Sequence, residues 1–219
     1  MRRLFVFRPE PAASRTVEKA KSMGLDVVPI PLFSLERVDW LAPDPDRFDA
    51  ILLTSANAVN LAGEQLQKMR QLPVHAVGEA TAVAARVAGL GVAKVGNGGV
   101  DDLLAAIEPN ARLIHLCGED RRIPSAPKQA IDALTVYRAV TVDDCDVREL
   151  RGQVAVLHSP RAAQRLRELV DEATRSTVRV AAISAPTAEA AGEGWACVRT
   201  AASPNDSELL ALAARLCET

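Results

Sequence analysis

The chain has 219 residues, 48% of them hydrophobic, and a formal charge of −2 from 26 Lys and Arg against 28 Asp and Glu. That length suits one large or two modest domains, and the balance of charge argues against a dedicated nucleic-acid or membrane-surface protein, whose affinity rests on excess Lys and Arg. No apolar run approaches the roughly 20 residues needed to cross a bilayer, "MRRLFVFRPEP" lacks a signal peptide's apolar region, and Cys117, Cys145, Cys197 and Cys217 form no Cys-x-x-Cys pair, so the expectation is a cytoplasmic protein with buried, reduced thiols.

In chain order, short apolar runs alternate with helical periodicity. The pattern predicts strands at Leu4–Phe7 and Asp26–Ile30 around a helix over Pro11–Met23 that stops at Gly24. Ala50–Leu53 then leads into a helix over Ala56–Arg70, and Val74–Val77 into a helix over Thr81–Ala88 ending at Gly89. Strands at Ala93–Val95, Leu113–Cys117 and Leu134–Tyr137 follow. The last third offers Val154–Leu157, a helix over Arg161–Ala173, then Arg179–Ile183 and Ala196–Arg199. Strand and helix in alternation argue for parallel sheets covered on both faces.

The chain also repeats itself. "AVGEATAVAARVAG" (Ala76–Gly89) returns as "AISAPTAEAAGEG" (Ala182–Gly194), with Thr81 and Thr187 106 residues apart. Upstream, "DAILLTSANAVNLAGEQL" matches "QVAVLHSPRAAQRLRELV", with Ser55 and Ser159 104 apart; downstream, Leu103 and Leu209 are again 106 apart. A period this long means two similar domains and not an array of short repeats. The late copy supplies only three strands, and "RLFVFRPE" at Arg3–Glu10 resembles "RLIHLCGE" at Arg112–Glu119. The first two strands of the chain therefore complete the late domain. The expected division is 1–35 plus 141–219 as one discontinuous domain with 36–140 inserted, a design that favours a hinge over a cleft.

Each repeated phrase sets a small residue directly after a strand and at the start of a helix. Ser55, Gly78, Ser159 and Ser184 do so, with Thr81 and Thr187 a turn later and Pro160 at the favoured first helical position. "NDSE" at Asn205–Glu208 can form a capping box. Taken singly, these are helix caps. Together they line the edge of a parallel sheet where ligands bind and where helix N-termini favour anions. No G-x-G-x-x-G, P-loop, H-E-x-x-H or G-x-S-x-G is present, and His75, His115 and His158 show no metal-ligand spacing, so neither cofactor nor metal is expected. Tyr137, the only tyrosine, can donate a hydrogen bond to a leaving hydroxyl or serve simply as a packed strand residue.

"FRP" (Phe7–Pro9), "LLTSANAV" (Leu52–Val59), "AVGEATA" (Ala76–Ala82), "VYRAV" (Val136–Val140), "LHSPRAA" (Leu157–Ala163), "PTAEAAG" (Pro186–Gly192) and "ASPNDSELL" (Ala202–Leu210) occur in that order and together resemble the uroporphyrinogen-III synthase family. The resemblance implies two doubly wound, flavodoxin-like parallel-sheet domains, joined by a two-stranded connection and facing a cleft. It implies cofactor-free closure of hydroxymethylbilane, with loss of water and inversion of ring D; a hinged cleft needs no partner, so a monomer is the default. Ser55, Gly78, Thr81, Ser159, Ser184, Thr187 and Arg8 would hold the substrate's carboxylates, and Tyr137 would assist departure of the hydroxyl. The chain departs from the family pattern at Phe7, where threonine is usual, and at Ser184, where glycine is frequent. Pro124 and Pro127 stand where a helix is expected, which should shorten that helix and leaves a role for Arg121 and Arg122 in doubt. A two-domain binding or sensing protein for a small polycarboxylate, without catalysis, is the alternative the residues leave open.

Overall fold

A computed structural model describes residues 1–218. The chain begins with β1 (Leu4–Val6), α1 (Ala12–Ser22), β2 (Val27–Pro29) and β3 (Phe33–Arg37). It continues through β4 (Ala50–Leu53), α2 (Ala56–Leu61), β5 (Val74–Val77), α3 (Glu79–Val87), β6 (Val92–Gly96), α4 (Val100–Ala105), β7 (Arg112–Gly118) and β8 (Ala130–Thr141). The last third holds β9 (Val154–Leu157), α5 (Pro160–Leu169), α6 (Glu172–Arg175), β10 (Arg179–Ala182), α7 (Ala185–Ala191), β11 (Cys197–Thr200) and α8 (Asp206–Glu218). Two compact units result: Met1–Ser34 with the chain from Val140 onward (unit 1), and Leu35–Ala139 (unit 2). The boundaries fall inside β3 and β8.

Each unit is built on a parallel sheet. In unit 1 the strand order is β11-β10-β9-β1-β2; the other sheet runs β3-β8-β7-β4-β5-β6, with β4 to β8 mutually parallel. Under the sequence repeat, β6-β5-β4-β7-β8 superposes in order on β11-β10-β9-β1-β2. Counted along the chain, unit 1 reads 2-1-3-4-5 and unit 2 reads 3-2-1-4-5. These are one layout entered at different strands, because unit 2 begins at the equivalent of β9. Both are doubly wound. The repeat reaches single bonds: the Arg3 amide donates to Gln153 Oε1 at 2.7 Å, and the Arg112 amide donates to Asp49 Oδ2 at 2.7 Å, with Gln153 and Asp49 104 apart.

Alternation along the strands explains the two-faced packing. Ile51, Leu53, Ile114 and Leu116 pack on Ala58, Val59, Ala82 and Ala85 of α2 and α3, while Ala50, Leu52 and Leu113 face Val100, Leu103 and Leu104 of α4. In unit 1, Leu4, Val6, Val154 and Val156 meet Leu209, Leu210 and Ala213 of α8. Full burial of each such leucine contributes about 2 kcal/mol. Asn205 starts α8, its Oδ1 accepting the Glu208 amide at 3.0 Å.

Four expectations change. The helix over Ala56–Arg70 stops at Leu61, because Gly63 takes φ +69° and a 3-10 turn over Gly63–Met69 follows. The helix over Arg161–Ala173 ends at Leu169, where Val170 becomes extended and Asp171 caps α6 by accepting the Thr174 amide at 2.8 Å. Residues 119–129, where a shortened helix was expected around Pro124 and Pro127, contain no helix. The apolar pattern does not mark β3, although the resemblance implies a two-stranded connection, and β8 extends well beyond its apolar centre because it is laddered to β7 from Ala130 onward.

Candidate active-site edges of the two sheets

In each sheet the chain changes direction between two neighbouring strands, β9 and β1 in unit 1 and β4 and β7 in unit 2, and the crevice outside such strand ends is where ligands bind in this class of fold.

In unit 1, Ser159 caps α5 by accepting the Ala162 amide at 3.2 Å. Ser184 precedes α7, but its hydroxyl turns to Thr187, 3.0 Å away, whose side chain is fully buried. The turn can therefore present backbone N–H groups more readily than the Thr187 hydroxyl. Arg8 follows β1, and its Nη1 donates to Thr16 Oγ1 at 3.0 Å and to Asp206 Oδ1 at 3.1 Å. Thr16 donates to Asp206 Oδ2 at 2.8 Å, and His158 Nε2 lies 2.7 Å from Asp206 Oδ1. Burial alone would raise the Asp206 carboxyl, but hydrogen bonds from His158 and Thr16 and the charge of Arg8 hold it down to about 2. Burial lowers His158, overcoming its bond to Asp206, so the ring is neutral at pH 7. The carboxylate can only accept, which places the proton on Nε2 and leaves the buried Nδ1 unpartnered.

In unit 2, Ser55 caps α2 by accepting the Asn57 amide at 3.2 Å. Gly78 opens α3 with φ +80°, a conformation that favours glycine, and Thr81 is buried behind it. Thr54 Oγ1 lies 3.0 Å from Nε2 of the buried His115, whose pKa burial and the nearby Arg121 push down to about 4. Tyr137, half-buried against the unit's core, stands opposite Gly118 at the end of β7.

The predicted residues thus gather at adjacent strand ends as two sets: Arg8, Ser159, Ser184 and Thr187 in one unit, Ser55, Gly78, Thr81 and Tyr137 in the other. Sequence reasoning missed Asp206, His158 and Thr16. The available signal was an acidic residue in the first turn of α8 and a histidine directly after β9. Among the described residues no group of three or more His, Cys, Asp or Glu is arranged to hold a metal, and no helix is long and apolar enough to cross a membrane. Cys117 and Cys217 are buried, whereas Cys145 and Cys197 are only half-buried; all four are free.

A family model described as "Uroporphyrinogen-III synthase HemD" matches residues 14–211. Among solved structures, uroporphyrinogen-III synthetase of Helicobacter pylori is 16% identical over 99% of this chain and 100% of that one, with a TM-score of 0.67. A mutant uroporphyrinogen III synthase of the extremely thermophilic bacterium Thermus thermophilus is also 16% identical over 99% and 100%, with a TM-score of 0.51. At such identity the structural likeness establishes the fold alone. No curated protein sequence matches the chain significantly.

Proposed function

Because the chain belongs to the uroporphyrinogen-III synthase family, we propose that it closes hydroxymethylbilane to uroporphyrinogen III, with loss of water and inversion of ring D, using no cofactor. The observation that carries this reading is the family match over residues 14–211. The chemistry of the two strand edges supports it. The substrate is a linear tetrapyrrole with eight carboxylates, and each edge offers helix N-termini, whose first amides have no partner within the helix and attract anions.

Such a bilane also closes by itself, giving the unrearranged isomer. The protein must therefore hold ring A over the substituted carbon of ring D, and orientation of this kind can contribute up to about 7–11 kcal/mol. Hydrogen bonds to each carboxylate add roughly 1.5–3 kcal/mol before ordering costs. The amides opening α2, α3, α5 and α7 hold carboxylates in this scheme. Arg8 joins them with its position set by Asp206 and Thr16, and its remaining guanidinium donors face substrate. The Tyr137 phenol donates to the departing hydroxyl.

Incubation with hydroxymethylbilane followed by separation of the type I and type III products tests the proposal. Type III in excess of the buffer control is expected. Type I alone at the buffer rate, with saturable binding of the bilane, would instead support a protein that binds polycarboxylates without converting them.

A further inference from the structure

Gly118 ends β7, and its φ lies outside the left-handed region, so its backbone does not call for glycine. Its surroundings do. A Cβ added there would stand 2.6 Å from Tyr137 Cζ, 2.8 Å from Cε2 and 2.9 Å from the hydroxyl oxygen. No real Cβ sits that close to a ring, so a side chain at 118 would force the ring or the strand to shift.

The ladder between the two strands is adjusted at the same place. Cys117 pairs with Thr135 but Gly118 pairs with Tyr137, so Val136 is passed over. A regular ladder would oppose Gly118 to Val136. The shift lets Val136, fully buried, and its neighbour Tyr137 both pack on the core of unit 2. Re-aiming one side chain is what such irregularities do. Backbone bonds pin both sides of the shift: the Glu119 amide donates to the Tyr137 carbonyl and the Val38 amide to the Val136 carbonyl, each at 3.0 Å.

We infer that Gly118 is a positioning residue for Tyr137: its missing side chain is the seat on which the phenol ring lies, and together with the skipped Val136 it decides where the hydroxyl stands. The consequence for turnover rests on the synthase reading. The placement of the ring does not.

Tyr137 is the sole tyrosine, so ¹³C-tyrosine labelling yields one set of ring signals. The Gly118 α-protons should show a ring-current shift that disappears in Tyr137→Ala, and Gly118→Ala should move the tyrosine ring signals. In the same variant kcat should fall by up to about tenfold, no more than the hydroxyl itself supplies, with KM kept within about twofold. In a Tyr137→Ala background, Gly118→Ala should cost nothing further in kcat or in unfolding free energy. Should Gly118→Ala alone fail to fold, adding Tyr137→Ala should restore folding. Unmoved ring signals, additive losses in the two backgrounds, or a folding defect that Tyr137→Ala does not relieve would each overturn the inference. A wild-type protein that forms no type III product overturns the synthase reading instead, and the ring signals still decide whether Gly118 seats the phenol.

Discussion

The two sheet edges share a scaffold and use it differently. Position for position, His158 corresponds to Thr54, and Asp206 to Val100. In unit 1 the edge is ionic, with Asp206 collecting Arg8, Thr16 and a neutral His158. In unit 2 the position of Asp206 is taken by Val100, and Thr54 meets the buried His115 with Arg121 nearby while the Tyr137 ring lies on Gly118. The segment after the first of the paired strands differs too. Unit 1 forms α1, which supplies Thr16, whereas the equivalent stretch in unit 2 holds Pro124 and Pro127 and forms no helix. Proline removes an amide donor and clashes with the preceding turn. Duplication therefore preserved strand order and caps while leaving the switch points free to diverge, one toward charge and one toward a phenol.

The largest expected effect breaks the ionic side. Asp206→Ala leaves the mostly buried Arg8 and the His158 Nε2–H without their acceptor, and should cost about 2–3 kcal/mol in urea unfolding. A loss below roughly 0.5 kcal/mol would mean that water replaces the carboxylate and that the edge is no more organised than its counterpart.

The edge of unit 2 should reveal itself through pH. His115 has a folded pKa of about 4 against 6.5 for the ordinary ring. A depressed folded value stabilises the protein above pH 6.5, and that stability is lost as the unfolded chain takes up protons while the folded chain does not. Between pH 7 and pH 5 the loss should be about 2 kcal/mol. His158, also lowered, adds in the same direction. His115→Gln should flatten the profile measured by urea titration; an unchanged slope would assign it to other groups.

How far these edges were legible depends on separation in sequence. Ala50–Leu53, Val74–Val77 and Val154–Leu157 are read to the residue, because each is a short apolar run bounded by turn residues. The apolar pattern passes over β3 because only Phe33 of "FSLER" is buried. Ser55 and Ser159 were visible as caps, since a cap is decided within four residues. The Asp206 cluster joins residues 198, 190 and 48 positions apart, and no local pattern announces it. Gly118 was hidden for another reason: its partner depends on a one-residue change of register, which only the paired strands disclose.

Tyr137→Phe sharpens the comparison on the catalytic side. If orientation through the substrate's carboxylates outweighs the phenol, this variant should slow turnover by about tenfold, less than a full general acid supplies, and the product should remain type III. Loss of all activity in a folded variant would give the phenol the leading role. A shift toward type I would show that Tyr137 also steers ring D.

The smallest effects test what the halves kept in common. Ser55 and Ser159 cap α2 and α5 with bonds of equal length, 3.2 Å, although one reaches the second residue beyond the cap and the other the third. Each replacement by alanine should cost about 1 kcal/mol, and the two losses should be alike. α2 is only six residues long and gives way to a 3-10 turn, while α5 runs for ten with Pro160 already fixing its first φ. If helix length and a preset proline governed the ends, Ser55→Ala would cost clearly more than Ser159→Ala. Equal costs would place the value of both serines in the capped amide itself, the feature that the duplicated edges share.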